Sequence, residues 1–275
     1  MNILITNDDG YTAKGVHILA KIMKKYGNVE VLAPKKHESG MSMALTMGLK
    51  QLAFKEIGVE DGIKWSYLDA TPASCIKFGF NDLYSTTKPD IVLSGINHGF
   101  NAASAACYSG TLGAAAEAAI KGIPAIGVSL DTHSPDADFS MVEELLPSII
   151  DKLLANPTTE KGIYYNINFP NLPASKIKGV KVGYQGRGDW EKEFSIWDSN
   201  KLAHLGVTPE LLGLSSEAKK EEGETIYMMT GSFVSDPSNT PLADHLLLEE
   251  GYVSVVAHKI DCTDYKETER LEKLF

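Results

Sequence analysis

The chain has 275 residues, 43% of them hydrophobic, which suffices for one large domain or two small ones with a substantial core. Its 36 acidic residues outnumber 26 Lys plus Arg, and the formal net charge of −10 argues against a general nucleic-acid surface. An anionic substrate would therefore need local positive charge, most simply a metal ion.

From the amino terminus, Ile3, Leu4 and Ile5 form the continuous apolar run that a strand buried on both faces requires, pointing to a central strand of a parallel sheet. The run stops at Asn7-Asp8-Asp9-Gly10, at the strand end where open α/β sheets place ligands. Two adjacent carboxylates repel unless a cation or a shared proton separates them, and a hard divalent metal is the simplest resolution. The same quartet is also an ordinary turn and helix N-cap signature. Helical spacing of Val16, Leu19, Ala20 and Met23 predicts a helix over 13–26, followed by a strand over 29–33 that Pro34 stops. A β-α-β unit of this kind makes a right-handed crossover between parallel strands, and a doubly wound sheet follows.

Residues 35–46 are polar and glycine-punctuated, and they begin at the same sheet edge as Asp8 and Asp9. Ser39 and Ser42 offer hydroxyls to a metal or phosphate; a flexible surface loop with incidental serines is the other reading, and His37 is read as a polar loop residue. Residues 47–68 suggest a hairpin turning near Asp61 and projecting from the core. Thr71 as N-cap with Pro72 at the first helical position predicts a helix to about residue 83. A buried strand over 90–93 ends in Ser94-Gly95-Ile96-Asn97-His98-Gly99-Phe100-Asn101, which places Asn97 and Asn101 toward the same edge. Ser109, Gly110 and Thr111 precede an alanine-rich helix, where free N–H groups and the helix dipole attract anions and where a serine also serves as a simple cap.

A strand over 124–128, a helix over 137–155 and a last core strand over 163–169 follow. Short β-like stretches near Val180 and Phe194 flank a Gly-rich charged segment over 183–189. A helix is expected over 209–222, a polar loop over 235–243, and an apolar stretch over 251–260 that closes the folded part before a charged tail. Asp244 and His245 are read as solvated loop residues, or as groups approaching a neighbouring subunit's site. No composition break marks a second domain, so residues 1–275 are read as one domain, with an α/β core over 1–170 and a β-rich extension with a C-terminal oligomerisation arm over 171–275. Cys75, Cys107 and Cys262 are widely spaced, which indicates free buried thiols rather than a disulfide framework or zinc knuckle. The amino terminus shows no basic, cleavable leader, and no run of about 18 apolar residues occurs, so a cytoplasmic protein without a membrane partner is expected.

The loops at Asp8 and Asp9, at Ser39 and at Asn97 all follow parallel-type strands and so converge. They offer two carboxylates, a hydroxyl and an amide oxygen, an all-oxygen set suited to Mg²⁺ or Mn²⁺. With the anion site at Ser109 to Thr111, the reaction this geometry suits is metal-assisted hydrolysis of a phosphate ester.

Asn7-Asp8-Asp9-Gly10, Ser39-Gly40-Met41-Ser42-Met43-Ala44-Leu45-Thr46, Asp69-Ala70-Thr71-Pro72-Ala73, Ser94-Gly95-Ile96-Asn97-His98-Gly99-Phe100-Asn101 and Tyr108-Ser109-Gly110-Thr111, with Gly251-Tyr252-Val253-Ser254-Val255 near the end, closely resemble the SurE family, the stationary-phase survival proteins. The match spans nearly the whole chain. It implies a Rossmann-like, mostly parallel doubly wound sheet with β-hairpin and C-terminal arm extensions, assembled as a homodimer or homotetramer. It implies a phosphomonoesterase that hydrolyses nucleoside 5′- and 3′-monophosphates with one divalent cation per subunit, Mg²⁺ or Mn²⁺. By position Asp8, Asp9, Ser39 and Asn97 would be the metal ligands, Asp8 and Asp9 also the catalytic carboxylates, and Asn101, Ser109, Gly110 and Thr111 the phosphate site. Between Asn101 and Tyr108 the family usually carries a glycine and acidic residues, whereas this chain reads Ala102-Ala103-Ser104-Ala105-Ala106-Cys107. A catalytically weak nucleotide- or phosphate-binding protein on the same fold is the alternative that departure keeps open. A receiver-type signalling module would need a phosphoacceptor aspartate where Ser94 stands. A dinucleotide-binding dehydrogenase would need a G-x-G-x-x-G turn that is missing.

Overall fold

The computed structural model describes residues 1–48, 50–134, 136–198 and 221–275. In chain order the elements are β1 (Asn2–Thr6), α1 (Lys14–Met23), β2 (Asn28–Pro34), β3 (Phe54–Glu60), β4 (Ile63–Leu68), α2 (Pro72–Asn81), β5 (Ile91–His98), α3 (Ala105–Tyr108), α4 (Gly110–Ile120), β6 (Ala125–Leu130), α5 (Ser140–Ala155) and β7 (Ile163–Phe169). The extension adds β8 (Val180–Val182), β9 (Gly188–Glu191), β10 (Phe194–Ile196), β11 (Tyr227–Met229), β12 (Ser232–Ser235), α6 (Asp244–Glu249), β13 (Val253–Lys259) and α7 (Tyr265–Leu271). Residues 209–220 of the helix expected over 209–222 lie outside the described residues, and Glu221 and Glu222 are not helical.

The main sheet runs β3-β4-β2-β1-β5-β6-β7-β13-β8. β1 lies between β2 and β5 and is parallel to both, the central position its apolar run predicts. Successive side chains of β1 serve opposite faces, because strand side chains alternate. Ile3 and Ile5 pack with Leu19 and Met23 of α1 and with Val142, Leu146 and Ile150 of α5, while Leu4 packs with Ile76 and Phe80 of α2 and Ala114, Ala115 and Ala118 of α4. The alanines of α4 let that helix approach the sheet closely, and its amino end is thereby brought to the edge where β1 and β5 finish.

Three sequence expectations change. The 47–68 segment is a hairpin with its turn at Asp61 and Gly62, but it does not project: β4 pairs parallel with β2, so the hairpin extends the main sheet. β7 is not the last core strand, because β13 pairs antiparallel beside it and β8 follows beyond. Val253 is fully buried and Val255 nearly so, which makes the last apolar run a sheet strand. The charged tail forms α7, yet none of that helix is buried, as its composition predicts. Of the cysteines, only Cys75 is buried; Cys107 and Cys262 are exposed free thiols.

Thr71 caps α2 by accepting from the Ser74 N–H at 3.4 Å, and its hydroxyl donates to the Ala44 carbonyl at 2.7 Å. The cap thus ties the 35–46 loop to the helix. Thr71→Ala is expected to lower stability by about 1–2 kcal/mol, the upper range for a lost cap, in a denaturant titration with unchanged slope.

Candidate active site

Of its two signatures, the Asn7 to Gly10 quartet realises the turn. Asn7 Nδ2 donates to the Gly10 carbonyl at 2.9 Å, and Gly10 takes φ 97°, a left-handed conformation that glycine adopts without the Cβ penalty. The quartet does not cap α1, whose N-cap is Ala13 with no side-chain bond. The tight turn leaves Asp8 and Asp9 at the carboxyl end of β1, with their environments opposed.

Asp8 is 3% exposed, so it is not the solvent-facing edge acid that a turn position suggests. Thr111 Oγ1 donates to its Oδ1 at 2.6 Å, and its backbone carbonyl accepts from the Glu38 N–H at 2.7 Å. A methyl on Gly110 would lie 3.1 Å from the other carboxylate oxygen, Oδ2, so that oxygen faces the first turn of α4. Burial, and then the charge on Asp9, push the Asp8 carboxyl up to about 7 against the opposing pull of the Thr111 hydroxyl and His37. Burial alone would also raise Asp9. Instead His37 and His98 hold it at about 2, through Nδ1 contacts of 3.4 Å to Oδ1 and 3.2 Å to Oδ2. The same partnership raises the His37 imidazole.

His37 is therefore an Asp9 partner rather than an incidental loop residue. His98 is a second Asp9 partner, which the strand-and-turn pattern did not single out. The signal lay in β5 itself: its pairing with β6 shifts register between Ser94 and Asn97, so the strand continues through the glycine and brings His98 to Asp9.

The remaining expected residues arrive differently. Asn97 is buried and donates from Nδ2 to the Gly99 carbonyl at 2.8 Å, a bond that does not use its amide oxygen. Ser39 follows Glu38, whose N–H holds Asp8, but is exposed. Ser109 accepts from the Leu112 N–H at 3.1 Å, so it caps α4, and Gly110 and Thr111 are the first helical residues, whose N–H groups have no partner within the helix. The Asn101 side chain donates to Ser129 Oγ at 2.9 Å, while its backbone N–H donates to Asn168 Oδ1 at 2.7 Å and its carbonyl accepts from Asn166 Nδ2 at 2.7 Å. The structure thus joins Asp8, Gly110 and Thr111 by direct contact and brings His37 and His98 onto Asp9.

Asp244 and His245 are corrected outright. Both are buried within this subunit at the start of α6, and Asp244 is bonded to Ala103 rather than solvated. Polar residues around them suggest a surface loop, but the deciding partners are backbone N–H groups distant in sequence.

Chemically, the site is oxygen-rich. Among the described residues no group of three or more His, Cys, Asp and Glu side chains is arranged to hold a metal by itself. A hard cation would instead rely on the carboxylate pair with hydroxyl, amide and water oxygens. The buried Asp8 carboxyl, raised by burial and by its neighbour's charge, is the observation that fits such an ion: a cation at the pair would offset both effects.

Fold and site together define a doubly wound α/β protein with an acidic pair at the carboxyl edge of its sheet, facing the start of an alanine-rich helix. The family model described as "Survival protein SurE" matches residues 3–192, and the chain belongs to the SurE family. It is 37% identical over 263 residues to the 5′-nucleotidase SurE of Christiangramia forsetii, covering 95% of this chain and 92% of that protein. The 5′-nucleotidase SurE of Cytophaga hutchinsonii is 35% identical over 264 residues, covering 96% and 93%. The solved structure of the SurE protein from Aquifex aeolicus matches with a TM-score of 0.76 at 29% identity, covering 99% of this chain and 98% of that one.

Proposed function

We infer that this chain is a divalent-metal-dependent nucleotidase that hydrolyses nucleoside 5′-monophosphates, and also 3′-monophosphates, to nucleoside and phosphate. The relatives named 5′-nucleotidase support the reaction class, and one observation of the structure carries it: a carboxylate pair, the buried Asp8 beside the partly buried Asp9, set against the free N–H groups of a helix start. Asp8, Asp9, Ser39 and Asn97 would hold one Mg²⁺ or Mn²⁺ per subunit. When bound, that cation supplies charge neutralisation at the phosphate and acidifies a water molecule.

The chain's own residues do the rest. The N–H groups of Gly110 and Thr111, with the α4 dipole behind them, receive the phosphate oxygens and hold the charge that builds there during displacement. Ser109 and Asn101 line the same site. The Thr111 hydroxyl fixes one oxygen of Asp8 and leaves Oδ2 to orient the attacking water and take its proton. His37 and His98 keep Asp9 ionised and fixed, so the pair presents net negative charge to a cation.

The alternative of a binding protein without catalysis rested on the alanines between Asn101 and Tyr108. In the structure Ala102 and Ala103 are buried and α3 follows, while Thr111 holds Asp8 and His37 and His98 hold Asp9, which favours the enzyme. We further propose that residues 1–275 form one unit that assembles as a homodimer or homotetramer through the extension. Exposed Phe194 and Ile196 of β10 and Tyr227 and Met229 of β11 stand on an antiparallel two-stranded sheet that offers an apolar surface suited to such contacts. No helix among the described residues is long and apolar enough to cross a membrane, and a cytoplasmic setting suits the free thiols.

Phosphate release from a panel of nucleoside 5′- and 3′-monophosphates is expected with Mn²⁺ or Mg²⁺ and is expected to vanish with chelator. Release that persists undiminished in chelator refutes the metal-dependent mechanism, and no release under any metal refutes the enzyme.

A further inference from the structure

We propose that Asp244 is a positioning residue for phosphate binding: its buried carboxylate clamps Ala103 in a left-handed turn and so sets the path of the loop that delivers Ser109 and Gly110. The inference rests on the phosphomonoesterase reading for its kinetic readout.

Asp244 opens α6 and is fully buried. Both of its oxygens accept the Ala103 N–H, at 3.0 and 3.1 Å, and Oδ1 also accepts from Gly186 N at 2.9 Å and from His245 N at 2.9 Å. A buried carboxylate is tolerated when hydrogen bonds replace its hydration, and here backbone donors from three segments do so. The His245 ring lies beside it, Nδ1 at 3.6 Å from Oδ1, with Nε2 at 2.8 Å from Ser235 Oγ.

Ala103 has φ 48°, a conformation that an alanine adopts only when its surroundings impose it, because Cβ then crowds the following carbonyl. It is held from both ends by the extension, the N–H by Asp244 and the carbonyl by Gln185 Nε2 at 3.0 Å. Two residues upstream, Asn101 is fixed by Asn168, Asn166 and Ser129. Downstream, the chain passes through α3 to Ser109, the cap of α4. With Asn101 pinned on one side and the Tyr108 carbonyl held by the Ser42 N–H at 2.9 Å on the other, the turn at Ala103 sets the path of the loop between them and so how Ser109 enters the already packed α4. Asp244 touches the loop that leads to Ser109 and none of the groups that hold the carboxylate pair, which are Thr111, His37 and His98.

The test compares Asp244→Asn, Ala103→Gly and the double variant. Asparagine keeps the volume of aspartate but offers one acceptor oxygen, so the two-oxygen grip on Ala103 is lost. The expected result is a rise of about tenfold in KM and in the inhibition constant of inorganic phosphate, with the Mn²⁺ dependence little changed and the melting midpoint lowered, since an amide N–H₂ facing the Ala103 N–H leaves a buried donor unpaired. Glycine adopts positive φ unaided, so Ala103→Gly is expected to restore phosphate affinity in the double variant. A folded Asp244→Asn with wild-type KM and phosphate inhibition overturns the proposal, as does a loss that Ala103→Gly fails to restore. Should Asp244→Asn alone not fold, the double variant is compared with Ala103→Gly, and a tenfold difference in phosphate affinity between them overturns it. A wild-type chain that releases no phosphate from any ester fails the nucleotidase reading; calorimetry with inorganic phosphate then decides the clamp, and no binding by the wild type overturns both.

Discussion

Asp8→Asn is expected to lower metal-dependent phosphate release by on the order of a thousandfold, the range for loss of a positioned base or metal-binding carboxylate. The substitution preserves shape. The Asn amide oxygen can still accept the Thr111 hydroxyl, so the bond of 2.6 Å between α4 and the β1 turn survives. What disappears is the negative charge, and its removal acts on stability in the opposite direction from its action on turnover.

The sign follows from the direction of the shift. In the metal-free protein Asp8 is raised from 3.8 to about 7, so the folded state binds a proton that the unfolded state releases. That contribution to stability is complete below about pH 4 and is lost as pH rises toward 7. His37, raised above its ordinary value by Asp9, adds a loss of the same sign as pH climbs through neutrality. Asp9, held at about 2, acts the other way but only below about pH 4, where acid would protonate it. The chelated wild type is therefore expected to melt lower at pH 7.5 than at pH 5, and Asp8→Asn to flatten much of that slope and exceed the wild type at pH 7.5. Adding Mn²⁺ at a hundredfold excess over its Kd should stabilise the wild type by about 2.7 kcal/mol and the variant by much less. Equal stabilisation of both proteins would remove Asp8 from the metal-binding set.

The same residue shows how far the sequence could be read. Ile3 to Ile5 declared a central strand because a strand covered on both faces must be apolar throughout, and two adjacent acids at its end marked a candidate site. Thr71 with Pro72, and Ser109 before an alanine run, declared helix starts through capping chemistry that is local in the chain. What could not be read was chemistry that depends on distant partners. Asp244 sits in a polar stretch, and only the fold brings it to the Ala103 N–H, 141 positions away. Nor does a short apolar run state its neighbours: Val253 to Val256 could be known as a strand but not as the antiparallel insertion between β7 and β8. His98 was hidden for a related reason, since a glycine at position 95 suggests that a strand has ended, when here it marks an irregularity within one.

Gly110→Ala is expected to remove about a hundredfold or more of kcat/KM while leaving the global fold in place. Glycine is poor in helix interiors, so at an unconstrained first-turn position alanine would be neutral or mildly stabilising. Here a Cβ would lie 3.0 Å from Asp8 Cβ, 3.1 Å from Oδ2 and 3.2 Å from the Glu38 carbonyl oxygen. None of these neighbours yields easily. Asp8 belongs to a tight turn at the end of a buried central strand, and the Glu38 N–H is tied to the Asp8 carbonyl at 2.7 Å. Nor can α4 simply slide away, because Gly113, one turn on, lies so close to the Ser42 carbonyl that its own Cβ would collide there. Relief must come from a displaced carboxylate or a tilted first turn, and either one misaligns Asp8, the proposed base, with the N–H groups proposed to receive phosphate. The cost therefore falls on catalysis before it falls on stability. Thermal melting within a few degrees of wild type, with kcat/KM collapsed, is the expected signature; an alanine variant with normal turnover would show that the helix start and Asp8 do not act on the same phosphate.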